Sequence, residues 1–392
     1  MAIILRDVLE KLHDVEITLV GGEEGLDNVV TWVHMVENEE ISDFLRGGEI
    51  TFTTGIGLGD KLDLITLVKA VYRNSASGMV INIGPFIKEI PKEIGEFADA
   101  NKFPIFMVPW HVHMAEMMRI ISFDITNSER ENMELEVAMK NAITSPHQKE
   151  LYVEQLSSKM LMPEWHYEVA LIEVVASKSG LLIGDKKLEA YKNTLQNLLI
   201  QHHRDSVILK IGNRLVVVMA NYAKEDIKPA ILKMKEKFAY VLGKGEICMC
   251  GVGGEVKNIS NVHKSYKQAI KVLKLVRALS SKEDIAFYDD LGTYKLLIAI
   301  EDKEVIEAYY KETIEPIARY DSFNQSDLRA ILESYLRHSG SVKDTAEEMF
   351  IHRNTVNYKI KKIEELLQLD LSNLDNRIKL TMGLMVDNLY SE

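Results

Sequence analysis

The sequence predicts a multi-domain α/β and α+β protein that ends in an all-α module. Three observations carry this. Up to about Pro109, short aliphatic runs alternate with helical spacing; a strand–hairpin–strand pattern flanked by helices fills the middle; from about Asn324 only helical spacing remains. At 392 residues the chain has room for about two or three domains, each able to bury a core. Apolar residues at 46% and charged residues at 27% exclude a disordered or collagen-like chain.

In the first segment the expected strands are 17–20, 31–36, 49–53, 79–83 and 105–108. Helical spacing falls at 62–73, with Leu64, Leu67, Val68 and Val71 on one face, and at 94–100. Strand and helix in alternation imply a mostly parallel sheet covered by helices. From about Met114 to Met160 strand signals fade. Met117, Ile120, Ile121 and Ile125 share a helical face, and the charged run 129–141 keeps an apolar position every three or four residues. This is a long linker helix or helix pair, either a packed connection or a dimerisation element.

From Tyr167 the expected strands are 168–175, 206–211, 214–220 and 246–252, with helices at 186–203, 224–242 and 259–279. Gly212-Asn213 between two aliphatic runs is a tight hairpin signal. An α+β sandwich with a four-stranded core follows. In the last segment Leu328, Ile331, Leu332, Tyr335 and Leu336 recur at helical spacing behind Ser326, the expected N-cap. Further helices are expected at 342–349, 353–367 and 374–389.

Charge restricts the classes of partner. Lys and Arg number 47 against 59 Asp and Glu, for a net charge of −12, so nucleic acid can be met only through a local basic patch. Residues 352–363 provide one, with Arg353, Lys359, Lys361 and Lys362 and no acidic residue. A short helix, a tight turn and this longer helix make a helix-turn-helix, the small Ala346 allowing close crossing. Counting about 100° per residue from Val356 sets Ile360 and Ile363 beside it, and Asn354, Tyr358 and Lys361 on the opposite face. Arg, Lys and Asn match purine edges and phosphates. The DNA-contact set expected is therefore Arg353, Asn354, Thr355, Asn357, Tyr358, Lys359, Lys361 and Lys362, with Lys359 and Lys362 mainly on phosphate.

The stretch Phe350-Ile351-His352-Arg353-Asn354-Thr355-Val356-Asn357-Tyr358 resembles the C-terminal DNA-binding domain of the PucR family of bacterial transcription regulators. Phe44-Leu45-Arg46-Gly47-Gly48-Glu49-Ile50-Thr51-Phe52-Thr53-Thr54-Gly55 and Phe103-Pro104-Ile105-Phe106-Met107-Val108-Pro109 are similar to that family's N-terminal sensor domain. The middle segment, ending in Tyr288-Asp289-Asp290-Leu291-Gly292-Thr293-Tyr294, resembles its GGDEF-like domain. The resemblance implies a sensor at 1–125, a helical linker at 126–164, a GGDEF-like α+β domain at 165–300 and a DNA-binding module at 322–392. It further implies an effector such as a purine catabolite, a sugar diacid or an amino acid.

Catalysis is not expected. A GGDEF-class cyclase needs two glycines and carboxylates in its central hairpin, whereas this one reads Ile211-Gly212-Asn213-Arg214-Leu215, without the oxygen-rich anions magnesium prefers. A nucleotide or cyclic-dinucleotide binder is the alternative reading of this segment. His111-Val112-His113 lacks a third patterned metal ligand, and Gly251-Val252-Gly253-Gly254 lacks a P-loop lysine. His202-His203, at a helix end, is expected to interact with its dipole or face solvent. No metal or other cofactor is implied.

Open α/β sheets bind ligands at the carboxyl ends of their strands. The expected effector-binding residues are therefore Glu37, Thr53, Thr54, Gly55, Asn82, Gly84, Trp110 and His111. The remaining expectations are a double-stranded DNA operator, a homodimer or higher homo-oligomer, and a cytoplasmic location. The last rests on the lack of a signal-peptide pattern, on aliphatic runs far shorter than the roughly 20 residues of a membrane span, and on only two cysteines, Cys248 and Cys250.

Overall fold

The structure, a computed structural model, describes residues 3–58, 64–200, 205–279, 284–300 and 302–390. His202 and His203 lie outside the described residues, as does the start of the expected helix at 62–73. The chain forms two compact units. One comprises Met1–Tyr167, Ile183–Leu242 and Lys257–His263, the other Glu168–Leu182, Gly243–Val256 and Lys264–Glu392.

The first unit opens on a five-stranded sheet in the order Thr18–Gly21, Ile105–Pro109, Gly78–Ile83, Glu49–Thr53, Trp32–Met35. The last four are mutually parallel, and Thr18–Gly21 runs antiparallel at the edge. Strands 49–53 and 78–83 are buried along nearly their whole length, as parallel strands covered on both faces must be. Side-chain alternation divides the core. Phe52, Val80 and Phe106 meet Leu5 and Val8 on one face; Met79, Ile81 and Ile105 meet Leu67, Val68 and Ile94 on the other. The helices on that second face are Leu64–Arg73 and Lys92–Asn101.

The long helix is one continuous 31-residue element, Met114–Thr144. It starts well before residue 126, and Met117, Ile121 and Ile125 close the sensor core. A second short helix, Val153–Ser158, follows. Further along, Lys192 on the helix Asp185–Ile200 donates to both carboxylate oxygens of Glu136 at 3.1 Å, tying it to the long helix. The hairpin joins Ser206–Ile211 to Arg214–Ala220 with Ile211 opposite Arg214, and Gly212 takes φ +59°. The helix Lys224–Ala239 completes this part.

In the second unit Glu246–Val252 runs antiparallel to His166–Ala176. It is also parallel to Ile285–Phe287, a strand beyond the four-stranded core expected from sequence. The helix Val262–Leu279 lies against this sheet, and a Cβ at Gly253 would come within 2.1 Å of the Ser265 carbonyl oxygen. The glycine run thus serves helix packing. Glu173, 2% exposed, receives the guanidinium of Arg277 at 2.6 Å. Cys248 and Cys250 are buried as thiols.

Six helices follow the short Tyr294–Leu297: Lys303–Thr313, Glu315–Asn324, Leu328–Arg337, Val342–Glu348, Arg353–Leu367 and Leu374–Tyr390. The first two were not anticipated. Ile314 and Ile317 join Leu328, Ile331, Leu332, Val356, Ile360, Ile363, Leu380 and Leu384 in one core. The expected N-cap Ser326 is corrected. The carboxylate of Asp321, on the preceding helix, accepts the N–H groups of Leu328 and Arg329 at 2.8 Å each, and Ser326 only donates its hydroxyl to Asp321. Among the described residues no helix is long and apolar enough to cross a membrane.

Candidate nucleic-acid interface and effector region

Ser341 starts the first helix of the bihelical motif, its hydroxyl accepting the Asp344 N–H at 3.3 Å. The turn reverses through Phe350 at φ +53°, and Ile351 N donates to Ala346 O at 3.0 Å. Ala346 is 6% exposed at the crossing. His352 caps the second helix, its Nδ1 accepting the Asn354 N–H at 3.2 Å. Val356, Ile360 and Ile363 point inward.

The opposite face is open. Arg353, Asn354, Thr355, Asn357, Tyr358 and Lys361 are exposed, Tyr358 to 71%. A cavity of about 400 Å³ opens beside the helix start, lined by Lys343, Ala346, Glu347, Ile351, His352 and Arg353. Sequence reasoning missed Lys343, a cation on the shorter helix. The remaining two expected contacts are half-buried. Lys359 is paired with Asp327. Lys362 lies 5.5 Å from the Tyr320 ring centroid and 3.6 Å from a Glu365 carboxylate oxygen. In the structure both ammonium groups are thus engaged within the module.

At the sensor's carboxyl edge, most of the expected residues converge. Glu37 is half-buried and wrapped by the loop after strand 49–53. Thr53 Oγ1 and Gly55 N donate to its Oε2 at 3.0 Å each, and Thr54 donates to Oε1 from N at 3.0 Å and from Oγ1 at 2.8 Å. Its carboxylate is therefore saturated from within. Gly55, at φ +78°, abuts Ile87, since a Cβ there would lie 2.5 Å from Ile87 Cγ1. Ile87 in turn closes a tight turn by accepting the Gly84 N–H at 2.8 Å.

Trp110 lies directly over Gly84, where a Cβ would come within 2.1 Å of the indole. Its ring meets Phe86 edge-on at 6.3 Å, and both rings are about half exposed. Asn82, 2% exposed, donates to the Pro109 carbonyl oxygen at 3.0 Å. His111 departs from the group, with its Nε2 3.4 Å from Glu16. Phe86 was not read from the sequence; an aromatic after Gly84-Pro85 was the available signal. No cluster of three or more metal-ligating side chains occurs among the described residues.

An α/β sheet domain, a helix-bearing middle and a helix-turn-helix with an exposed cationic face follow one another along the chain. Residues 7–125 match the purine catabolism regulatory protein-like family, 161–275 the GGDEF-like domain and 328–386 the PucR C-terminal helix-turn-helix domain. The chain belongs to the PucR family of transcriptional regulators.

The proline-responsive transcriptional activator PutR of Bacillus subtilis is 30% identical over 210 residues, 52% of this chain and 51% of that protein. The carbohydrate diacid regulator of Escherichia coli is 24% identical over 225 residues, 56% of each. The purine catabolism regulatory protein of Bacillus subtilis is 32% identical over 101 residues, 26% of this chain and 19% of that protein. The chain thus spans about half, or less, of the curated relatives it matches.

Proposed function

We propose that this chain is a cytoplasmic, ligand-responsive transcription regulator that binds double-stranded operator DNA as a homo-oligomer. It serves the catabolism of purines or related nitrogen compounds. The supporting observation is the helix Arg353–Leu367, whose buried Val356, Ile360 and Ile363 leave Arg353, Asn354, Asn357, Tyr358 and Lys361 to solvent. Arg353 and Lys361 supply phosphate or guanine contacts, Asn354 and Asn357 adenine contacts, and Thr355 and Tyr358 backbone contacts. Residues 1–125 form the sensor in this reading, 126–164 the linker, 165–300 the GGDEF-like part and 322–392 the DNA-binding module.

The effector site is the Glu37, Thr53–Gly55, Asn82, Gly84 and Trp110 group, extended by Phe86. Its carboxylate is already satisfied and its exposed surface is aromatic, which favours a flat, uncharged or zwitterionic nitrogen compound. A sugar diacid needs cations, and this group holds none; His111 stands apart with Glu16. The amide and cation in the 211–214 hairpin support a non-catalytic middle domain.

The test is selection of duplexes from a random library by the full chain, followed by titration of the enriched sequence with the wild type and Asn354→Ala. A thermal-shift screen of purine catabolites, amino acids and sugar diacids reports the effector class, because a ligand of the folded state raises Tm. Absence of any enriched duplex contradicts the proposal.

A further inference from the structure

The inward face of the helix Met114–Thr144 is spent on the sensor core through Met117, Ile121 and Ile125. Its outward face carries large apolar groups in solvent: Phe123 is 66% exposed, Met133 69% and Val137 60%. They fall in a strict heptad ladder, alternating steps of three and four residues through Glu116, Arg119, Phe123, Thr126, Arg130, Met133, Val137 and Lys140. Every one of these residues is exposed. Four of the eight, Glu116, Arg119, Arg130 and Lys140, are charged; the three large apolar members, Phe123, Met133 and Val137, are the groups another helix would cover.

We propose that this ladder is the homodimer interface, a two-fold antiparallel pairing of the long helix with the same helix of a second copy. The proposal rests on the regulator reading only for its use in placing two DNA-binding modules. Its evidence lies in the helix.

Charge decides the occupant and the direction. Parallel pairing would stack Arg119 on Arg119, Arg130 on Arg130, Lys140 on Lys140 and Glu116 on Glu116, four layers of like charge. Antiparallel pairing removes all four at once. The register that sets Phe123 opposite Met133 also sets Lys140 opposite Glu116, Arg130 opposite Thr126, and the Arg119 stem against Val137. The two Glu129 carboxylates then meet near the axis, beside the two Arg130 guanidinium groups. Shifting one heptad in one direction puts Arg130 on Arg119; in the other it puts Phe123 on Lys140, while Glu116 keeps its 2.7 Å pairing with Arg119 on its own helix in every register. The preferred register is self-complementary, so the dimer closes on itself without leaving a free patch.

Cross-linking of the full chain tests this, using Phe123→Cys, Met133→Cys and the double variant, oxidised and separated without reductant. The native Cys248 and Cys250 are buried. In the antiparallel register only the double variant gives a covalent dimer. Self-cross-linking of either single variant, or a wild type that sediments as a monomer, overturns the proposal. Met133→Glu, at a solvent-exposed position, is expected to weaken the dimer by at least about tenfold in sedimentation equilibrium. If that variant dimerises as tightly as wild type, the interface is wrong whatever its DNA binding. Its affinity for a single half-site is read separately and should stay at the wild-type value.

Discussion

Lys359, midway along the cationic helix, gives its ammonium group to the carboxylate of Asp327, which sits 32 residues earlier at the start of another helix of the same module. The helix therefore presents fewer available cations than its sequence counts, with Arg353 and Lys361 the ones left exposed. The pair also holds the helix in register against Leu328–Arg337.

Removing the charge at Asp327 should release that lysine. Asp327→Asn is expected to steepen the dependence of log K on log salt by about 0.9, one further phosphate contact, while base preference stays unchanged. Fluorescence anisotropy at several salt concentrations reads this. An unaltered slope contradicts the assignment of Lys359 to Asp327.

Asn354 and Lys361 share a face but should behave differently. Asn354→Ala is expected to cost about 1–3 kcal/mol at the selected site and to relax the preference at one base position. Lys361→Ala should weaken all duplexes alike and reduce the salt slope by about one. Lys362→Ala, whose ammonium rests on Tyr320 and Glu365, should change affinity less than Lys361→Ala does. Competition titrations against scrambled DNA separate the three.

Much of the fold was legible because its strands are short aliphatic runs bounded by Gly, Pro or charge. Strands 206–211 and 214–220 fall where the sequence places them, since Gly212 fixes the turn between them. The helices Lys303–Thr313 and Glu315–Asn324 escaped because their inward positions include Tyr309 and Tyr310, which blur the apolar stripe. Pro316 also looks like a breaker, although it occupies a first helical turn.

Three-residue Ile285–Phe287 is too short to carry a pattern. In the sites, alternation and helical geometry told which residues face outward. They could not tell that Asp327, Glu365 and Tyr320 take up two of the cations, or that Glu37 spends its carboxylate on Thr53, Thr54 and Gly55. Those are tertiary pairings that no local spacing encodes.

Acid should loosen the DNA-binding module at one identifiable point. Glu348 accepts the Ser334 hydroxyl, the Arg337 guanidinium at 2.7 Å and His338 Nε2 at 3.1 Å, and these donors hold its carboxyl below the ordinary 4.5. A carboxyl depressed by folding adds stability above its unfolded value and loses it as pH falls through the folded one. The Tm gap between wild type and Glu348→Gln is therefore expected to be full at pH 7 and to close below 4.5. Scanning calorimetry of the two proteins checks this, and a gap that does not vary with pH contradicts it.

Gly84 tests the effector region without touching the far module. A methyl group there meets the Trp110 indole at 2.1 Å, so Gly84→Ala must displace the ring from its place beside Phe86. The variant is expected to lose most of the effector-induced rise in Tm while binding operator DNA as the wild type does in the absence of effector. An unchanged ligand response would remove Trp110 from the site.

The most direct measurement concerns the outward face of Arg353–Leu367. Full-length wild type and Arg353→Ala/Asn354→Ala/Lys361→Ala are titrated with the selected duplex at fixed salt, and their folding is matched by circular dichroism. The account predicts that the triple variant loses at least about a hundredfold in affinity, since each substitution removes roughly 1–3 kcal/mol or one phosphate contact. Equal affinity of the two proteins for that duplex would show that DNA is held elsewhere.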